Sequence, residues 1–158
     1  MIEVRTGRLS AAQTRRQLLR AGMALFLVSL VFSFPLPIYV NSRMVVSAHV
    51  IGVTESLFIV VLGLIWRDLR LGDRVRTTVF WLRLYGGFAN WAICTLAAVW
   101  GTSFTLKVAG AGFHAALWQE HVVTGVLTTV GLVDVWVGAC VVWGLRGEPN
   151  LGEGGVVE

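Results

Sequence analysis

The sequence is poor in charged residues. Only 14% of its 158 residues are Asp, Glu, Lys or Arg, whereas soluble domains typically carry about 25%. Hydrophobic residues make up 56% of the chain, and the mean hydropathy is +0.73. A soluble domain of this size has too much surface for its volume to bury so many apolar side chains. The composition therefore predicts an integral membrane protein, and it excludes disordered and collagen-like chains.

Cysteine is also scarce, and basic residues are unevenly distributed. Cys94 and Cys140 fall inside apolar runs without C-x-x-C spacing, so buried thiols are expected rather than a disulfide framework or a zinc site. Of the 13 basic residues, ten lie in the N-terminal segment, at 67–76 or at Arg146. Clustering at the ends of apolar runs is typical of membrane topology and argues against a nucleic-acid partner.

Four apolar runs are long enough to cross a bilayer as helices, which takes about 20 residues. The predicted spans are residues 21–40, 44–66, 77–100 and 121–145. The sequence thus predicts an all-α fold, an integral membrane four-helix bundle with up-down-up-down topology.

The same pattern predicts the domain organisation and the orientation. Residues 1–20 are expected to form a basic N-terminal arm, residues 21–146 the four-span domain, and residues 147–158 a flexible tail. Short loops rich in Lys and Arg stay in the cytoplasm, so both termini are predicted to be cytoplasmic, in a bacterial-type inner or plasma membrane.

Several polar side chains fall at bilayer depth, where an ionisable group costs about 2.5–3.5 kcal/mol on insertion scales. They are His49, Glu55, Arg83, Asn90 and Asp134. Glu55 lies at the middle of its span, where a catalytic role and a buried hydrogen bond to another helix are both open. Asn90 can orient a substrate or hold helices together. Arg83 is expected to extend to the cytoplasmic surface, and it is the obvious ion-pair partner for Asp134.

His49 is the one imidazole clearly inside a predicted span. On a helix it shares a stripe with Gly52, Ser56 and Gly63. Small residues of this kind pack against another helix or let a ligand approach the backbone closely. A single histidine on such an apolar surface suits haem, and a hydrogen-bonded core histidine is the alternative.

Several short motifs occur in order along residues 40–147. They are Asn41-Ser-Arg-Met44, Ser47-Ala-His49, Leu62-Gly-Leu-Ile-Trp66, Tyr85-Gly-Gly-Phe-Ala-Asn-Trp91, Leu96-Ala-Ala-Val-Trp-Gly101, Trp118-Gln-Glu120 and Trp143-Gly-Leu-Arg-Gly147. Together these motifs resemble the hydroxylaminobenzene mutase family. That family is similar to styrene oxide isomerase, a four-span membrane enzyme that assembles as a trimer and holds haem b between protomers.

The resemblance implies an isomerase that rearranges a small apolar aromatic substrate, converting an N-aryl hydroxylamine into an ortho-aminophenol. It implies a homotrimer in a lipid bilayer, with haem b as cofactor. His49 corresponds to the iron-ligating histidine, and Gly52 is the expected small residue beside the haem. Glu55, Asn90 and Tyr85 are the expected catalytic residues.

The chain also departs from the families that it resembles. Glu55 stands where both families usually have an asparagine, whereas Asn90 matches an asparagine that they share. An Asp and a Tyr of the epoxide isomerase site map onto Gly86 and Cys94, so epoxide chemistry is not supported residue by residue. The alternatives are a small proton-coupled transporter that uses Glu55, a non-catalytic haem-binding membrane protein and a structural membrane subunit.

Overall fold

Residues 11–34 and 38–146 are described by a computed structural model of the chain. This part of the chain contains four helices and no strand: α1 (Ala11–Val31), α2 (Ser42–Ile65), α3 (Asp73–Trp100) and α4 (Leu117–Gly144). The prediction of an all-α fold is confirmed. The predicted tail at 147–158 and the first ten residues of the predicted arm lie outside the described residues.

The first helix differs most from its prediction. It begins at Ala11 rather than at residue 21 and ends at Val31 rather than at residue 40. Residues 11–20, the described part of the predicted arm, therefore form the first turns of α1. The early end has a physical reason in the sequence, because Pro35 and Pro37 lack the backbone N–H that a helix needs and disfavour helical geometry in the preceding residue.

The start of α2 is set by Asn41, which is completely buried. Its side-chain oxygen accepts hydrogen bonds from the backbone N–H groups of Arg43 and Met44 at 3.0 and 3.2 Å, an N-cap that satisfies two orphan donors. Its side-chain nitrogen donates to the carbonyl of Ala109 at 2.8 Å. The cap therefore also fastens the connection between α3 and α4 to the start of α2.

Successive helices pack with opposite directions. Ser29, near the end of α1, lies against Gly52 in α2, whereas Leu18, earlier in α1, lies against Gly63. The pair α2 and α3 is antiparallel as well, since Glu55 contacts Asn90 and the later Trp66 contacts the earlier Phe80. The pair α3 and α4 follows the same rule, with Arg83 on Asp134 and Trp100 on Trp118.

The four helices do not surround a common centre. α1 packs on α2 and touches α3, α2 packs on α3, and α3 packs on α4. No Cα atom of α4 lies within 8 Å of one in α1 or α2. Thus α4 packs on α3 and, at its end, on the connection between α2 and α3, where the Arg70 N–H donates to the Gly144 carbonyl at 2.8 Å. Large apolar side chains such as Leu132, Val135 and Val142 are exposed on its outer surface.

Among the described residues, two helices are long and apolar enough to cross a membrane. They are α2 and α4, with mean hydropathies of 2.1 and 1.9 over their most apolar windows. α1 and α3 do not meet this criterion. α1 contains Arg15, Arg16 and Arg20, and the apolar part of α3 is made less hydrophobic by Arg83 and Asn90. Length and composition therefore support two of the four predicted spans.

Gly52 in α2 is packed closely against both α1 and α3, and its replacement is expected to separate them. A Cβ atom at Gly52 would meet the Ser29 hydroxyl and lie 2.5 Å from Trp91 Cδ1. We expect Gly52→Ala to lower the free energy of unfolding by about 1–3 kcal/mol because the added methyl overpacks this contact. Thermal unfolding in detergent measures the effect.

Gly125 in α4 provides the matched control, because a Cβ atom there would meet nothing within 4 Å. Gly125→Ala is expected to keep or raise stability, since alanine favours the helix more than glycine does. Equal melting temperatures for the two variants would contradict the close packing at Gly52.

Candidate active site

Glu55 lies in a buried network of polar side chains between α2 and α3. The residue is 9% exposed. One carboxylate oxygen, Oε1, accepts a hydrogen bond from Asn90 Nδ2 at 2.7 Å, and the other, Oε2, accepts from Arg83 Nη2. Both donors belong to α3, so two bonds fix the orientation of the carboxylate. The structure thus brings together Glu55 and Asn90, two of the predicted catalytic residues.

Arg83 is completely buried. Its Nη1 atom donates to Asp134 Oδ1 at 2.8 Å, its Nη2 atom donates to Glu55, and its Cζ atom lies 4.6 Å from the centroid of the Phe58 ring. The expectation that Arg83 extends to the cytoplasmic surface is wrong, because two carboxylates and an aromatic face compensate its charge inside the protein. The predicted ion pair with Asp134 is present.

Two glycines of α3 make room for this network. A Cβ atom at Gly86 would lie 2.6 Å from Asp134 Oδ1, and one at Gly87 would lie 2.8 Å from Ile59 Cδ1 and 3.1 Å from Arg83 Nη2. Because a side chain at either position would displace these atoms, the bare backbone of α3 lets the guanidinium and the α4 carboxylate approach closely.

His49 lies on the side of α2 that faces α1. Its Nδ1 atom is 3.3 Å from the backbone carbonyl oxygen of Ser29. That carbonyl belongs to the last turn of α1, where helix carbonyls lack their usual partners. A carbonyl can only accept, so in the neutral ring Nδ1 carries the proton and Nε2 keeps a free lone pair.

A narrow, shallow cleft runs beside His49 between α1, α2 and α3. Aromatic side chains of Phe32, Tyr39 and Trp91 line it, and the Tyr39 hydroxyl donates to the carbonyl of Phe32 at 2.8 Å. The cleft is a surface crevice and not an enclosed cavity, so one chain does not enclose a large cofactor here. Glu55 is not among the residues that line this cleft; it follows His49 by six residues, about 9 Å along the helix axis.

Two predicted site residues lie apart from these groups. Gly52 is covered by Ser29 and Trp91, so helix packing, rather than a bare surface for a flat cofactor, accounts for this glycine. Tyr85 is 44% exposed on α3, and its hydroxyl lies 2.9 Å from the hydroxyl of Thr129 on α4. The Tyr85 hydroxyl is therefore paired with α4 and not with Glu55, Asn90 or His49.

Sequence reasoning does not single out Glu120 as a buried group, although it is only 2% exposed. Its carboxylate accepts hydrogen bonds from the backbone N–H groups of Ser103 and Phe104 at 2.8 and 3.0 Å. The only sequence signal is its place in the first turn of α4, where carboxylates are favoured. Because its acceptors are satisfied by backbone donors, Glu120 holds the connection between α3 and α4 in place.

The described part of the chain has no group of three or more His, Cys, Asp or Glu residues that could hold a bare metal ion. Cys94 and Cys140 are free thiols; Cys94 is buried, as predicted, whereas Cys140 is half-buried. His49 is thus left as a single imidazole beside an apolar cleft. One axial ligand of this kind is what several haem proteins use to hold iron.

Comparison with known proteins shows which class of protein carries this arrangement. The sequence model of the styrene oxide isomerase family matches residues 14–146. Hydroxylaminobenzene mutase HabB of Ectopseudomonas oleovorans is 37% identical over 139 residues, which cover 87% of this chain and 85% of that protein. Hydroxylaminobenzene mutase HabA of the same organism is 39% identical over 111 residues, which cover 70% of this chain and 82% of that protein. No solved structure shows significant similarity.

These matches define an isomerase. The chain belongs to the styrene oxide isomerase family, and its predicted resemblance to hydroxylaminobenzene mutases is confirmed. Family membership and the two apolar helices together indicate a membrane protein.

Proposed function

We propose that this protein is a membrane-bound mutase that converts an N-aryl hydroxylamine into an ortho-aminophenol. The observation that carries the proposal is its 37% identity to a hydroxylaminobenzene mutase over 87% of the chain. In the reaction the N–O bond breaks, a C–O bond forms at the ortho carbon, and the hydrogen displaced from that carbon is balanced by one gained at nitrogen. Substrate and product are isomers, so no electron donor or acceptor is consumed.

Glu55 acts as the general base that accepts the ortho proton when the ring regains aromaticity. Its carboxylate is held by Asn90 and Arg83, so its orientation is fixed before the substrate binds, which favours proton transfer. The same carboxylate stabilises positive charge that develops on the arene, and such stabilisation is strong where water is excluded. Asn90 orients the polar group of the substrate next to this carboxylate. Tyr85, which faces α4, has no assigned step.

His49 fits the role of an iron ligand for haem b. Its Nδ1 bond to the Ser29 carbonyl fixes the ring and leaves Nε2 free, an arrangement that is usual for metal-bound histidines. When bound, haem supplies Lewis-acid iron that weakens the N–O bond. The cleft of one chain is small, so we place the cofactor where copies of the chain meet in a homotrimer. Because His49 and Glu55 lie on different sides of α2, such a shared site would bring the cofactor held by His49 of one copy to the Glu55 of another copy.

The proposed location is a bacterial inner membrane, which four helices cross with both termini in the cytoplasm. The N-terminal part of α1, the connection between α2 and α3, and Arg146 carry most of the arginines at one end of the helices, as expected for the cytoplasmic side. Apolar arenes partition into lipid, so a site at this depth meets its substrate directly. To test the orientation, a cysteine is introduced into the connection between α2 and α3 or into the connection between α3 and α4. Labelling of its thiol in sealed vesicles shows which side of the membrane each connection faces.

The His49→Ala variant tests the cofactor and the activity together. We expect wild-type protein purified in detergent to show a Soret band and to convert hydroxylaminobenzene to 2-aminophenol. His49→Ala is expected to lose the band and at least about 99% of the turnover, because the iron loses its protein ligand. Absorption spectra and chromatography of the products provide the measurements.

His114, which is exposed in the connection between α3 and α4, gives the matched control, and His114→Ala is expected to keep both signals. Wild-type protein that has neither pigment nor turnover, but shows proton-dependent efflux abolished by Glu55→Gln, would replace this proposal with the transporter alternative.

A further inference from the structure

α2 and α4 flank α3 without approaching each other, and this leaves a groove above α3. Glu55 stands on the α2 wall, Asp134 on the α4 wall, and Arg83 on the floor between them. We call this the carboxylate groove, defined by these three residues. The side chain of Asp134 is 26% exposed and that of Glu55 is 12% exposed, whereas that of Arg83 is completely buried. The groove therefore presents carboxylate oxygens to an approaching molecule, and not the guanidinium.

The hydrogen bonding of the carboxylate groove is incomplete. Asp134 uses Oδ1 to accept from Arg83, while its Oδ2 atom makes no hydrogen bond to another described residue. The Nε–H group of the fully buried Arg83 has no acceptor among the described residues. Polar groups that are withdrawn from water without a partner are costly. The cluster thus lacks one donor and one acceptor, and it has two formal negative charges for one positive charge.

The α4 wall is open beside Asp134. A Cβ atom at Gly131 or Gly138 would meet no heavy atom within 4 Å. These two glycines lie three residues before and four residues after Asp134, on neighbouring turns of the helix. The backbone of α4 is therefore bare on both neighbouring turns, and a ligand that reaches Asp134 along this face of the helix meets no side chain at either glycine.

We infer that Asp134 is a substrate-recognition residue whose free oxygen accepts a hydrogen bond from the N–H or O–H group of the hydroxylamine. This inference rests on the proposed function and deepens it. An N-aryl hydroxylamine carries N–H and O–H donors, and these complement the exposed carboxylate oxygens of the groove. An epoxide or an ether carries acceptors only, and its oxygen meets two carboxylates. Asp134 thus selects aromatic substrates that bear donors.

Equilibrium binding of a matched pair of ligands tests Asp134 without any need for turnover. The pair is aniline, which has two N–H donors, and N,N-dimethylaniline, which has none. We expect calorimetric titration of the detergent-solubilised wild-type protein to show tighter binding of aniline. The Asp134→Val variant is expected to weaken aniline binding about tenfold or more and to leave dimethylaniline binding unchanged, because one bond to a charged acceptor is lost.

Controls separate recognition from folding. Asp68 is an exposed carboxylate in the connection between α2 and α3, and Asp68→Asn is expected to bind both ligands as the wild type does. If Asp134→Val does not fold, Asp134→Asn replaces it, since its amide oxygen can still accept from Arg83. The KM for hydroxylaminobenzene is expected to rise by the same factor as the aniline affinity falls, with a smaller change in kcat.

The outcomes distinguish this inference from the proposed function. Turnover by the wild type with unchanged aniline affinity in both Asp134 variants overturns the recognition role and leaves the mutase activity standing. Aniline selectivity that depends on Asp134, in a wild type without turnover, supports the recognition role and removes the mutase activity. A wild type that neither turns over hydroxylaminobenzene nor distinguishes the two anilines overturns both.

Discussion

Glu55→Gln is expected to lower kcat for the mutase reaction by about 100-fold or more, the usual contribution of a general base. Glutamine has nearly the shape of glutamate, and its amide oxygen can still accept the hydrogen bond from Arg83. It cannot take up the ortho proton, and it brings no negative charge to the site. The measurement is turnover of hydroxylaminobenzene by reconstituted protein, normalised to the amount of folded protein.

Glu120→Gln is the control for this variant, because Glu120 is equally a buried carboxylate but binds backbone N–H groups of the connection between α3 and α4. It is expected to lower the melting temperature and to leave kcat per folded molecule within about threefold of the wild type, since this carboxylate contacts none of the proposed reacting groups. A Glu55→Gln variant with wild-type kcat would rule out Glu55 as the base.

Arg83→Met is expected to cost about 3–5 kcal/mol of folding free energy, because it leaves two carboxylates without their shared cation in a buried setting. Methionine preserves much of the side-chain length and apolar bulk, so the loss reports mainly on charge. Thermal and denaturant unfolding in detergent measure it, with Arg67→Met as the control at an exposed arginine.

A triple variant makes this prediction specific. Adding Glu55→Gln and Asp134→Asn to Arg83→Met removes the uncompensated charges and is expected to restore more than half of the lost stability. No recovery in the triple variant would mean that Arg83 stabilises the fold through its packing on Phe58 and not through the ion pairs.

The sequence predicted the type and number of the described helices well, because long apolar runs with few charges have few alternatives to a helix in lipid. It placed the first helix wrongly. Hydropathy marks residues 21–40 as one run, whereas helix geometry depends on backbone donors, which Pro35 and Pro37 lack. The helix extended backwards instead, through Arg15, Arg16 and Arg20, residues with good helix propensity that a hydropathy criterion counts as loop.

For the site, the sequence predicted which residues are unusual but not how they pair. Glu55, Asn90 and Asp134 can be recognised in the sequence as polar residues inside apolar runs. The ion pair between Arg83 and Asp134 was predicted from their opposite charges alone. That Arg83 also binds Glu55 could not be predicted, because the sequence does not show which face of α2 packs on α3. His49 and Glu55 lie on different sides of α2. Periodicity along one helix gives the angle between two side chains, but it does not specify which neighbouring helix each of them faces.

Arg83 binds Glu55 and Asp134 through two nitrogens of a single rigid plane. The orientations of the two carboxylates are therefore mechanically linked, although their helices do not touch. If α4 tilts, Asp134 moves with it and turns the guanidinium plane of Arg83. The direction of the hydrogen bond that Arg83 donates to Glu55 then changes. We therefore expect the position of α4 to affect the orientation of the Glu55 carboxylate, the proposed general base, and in a bilayer the thickness of the lipid acts on that position.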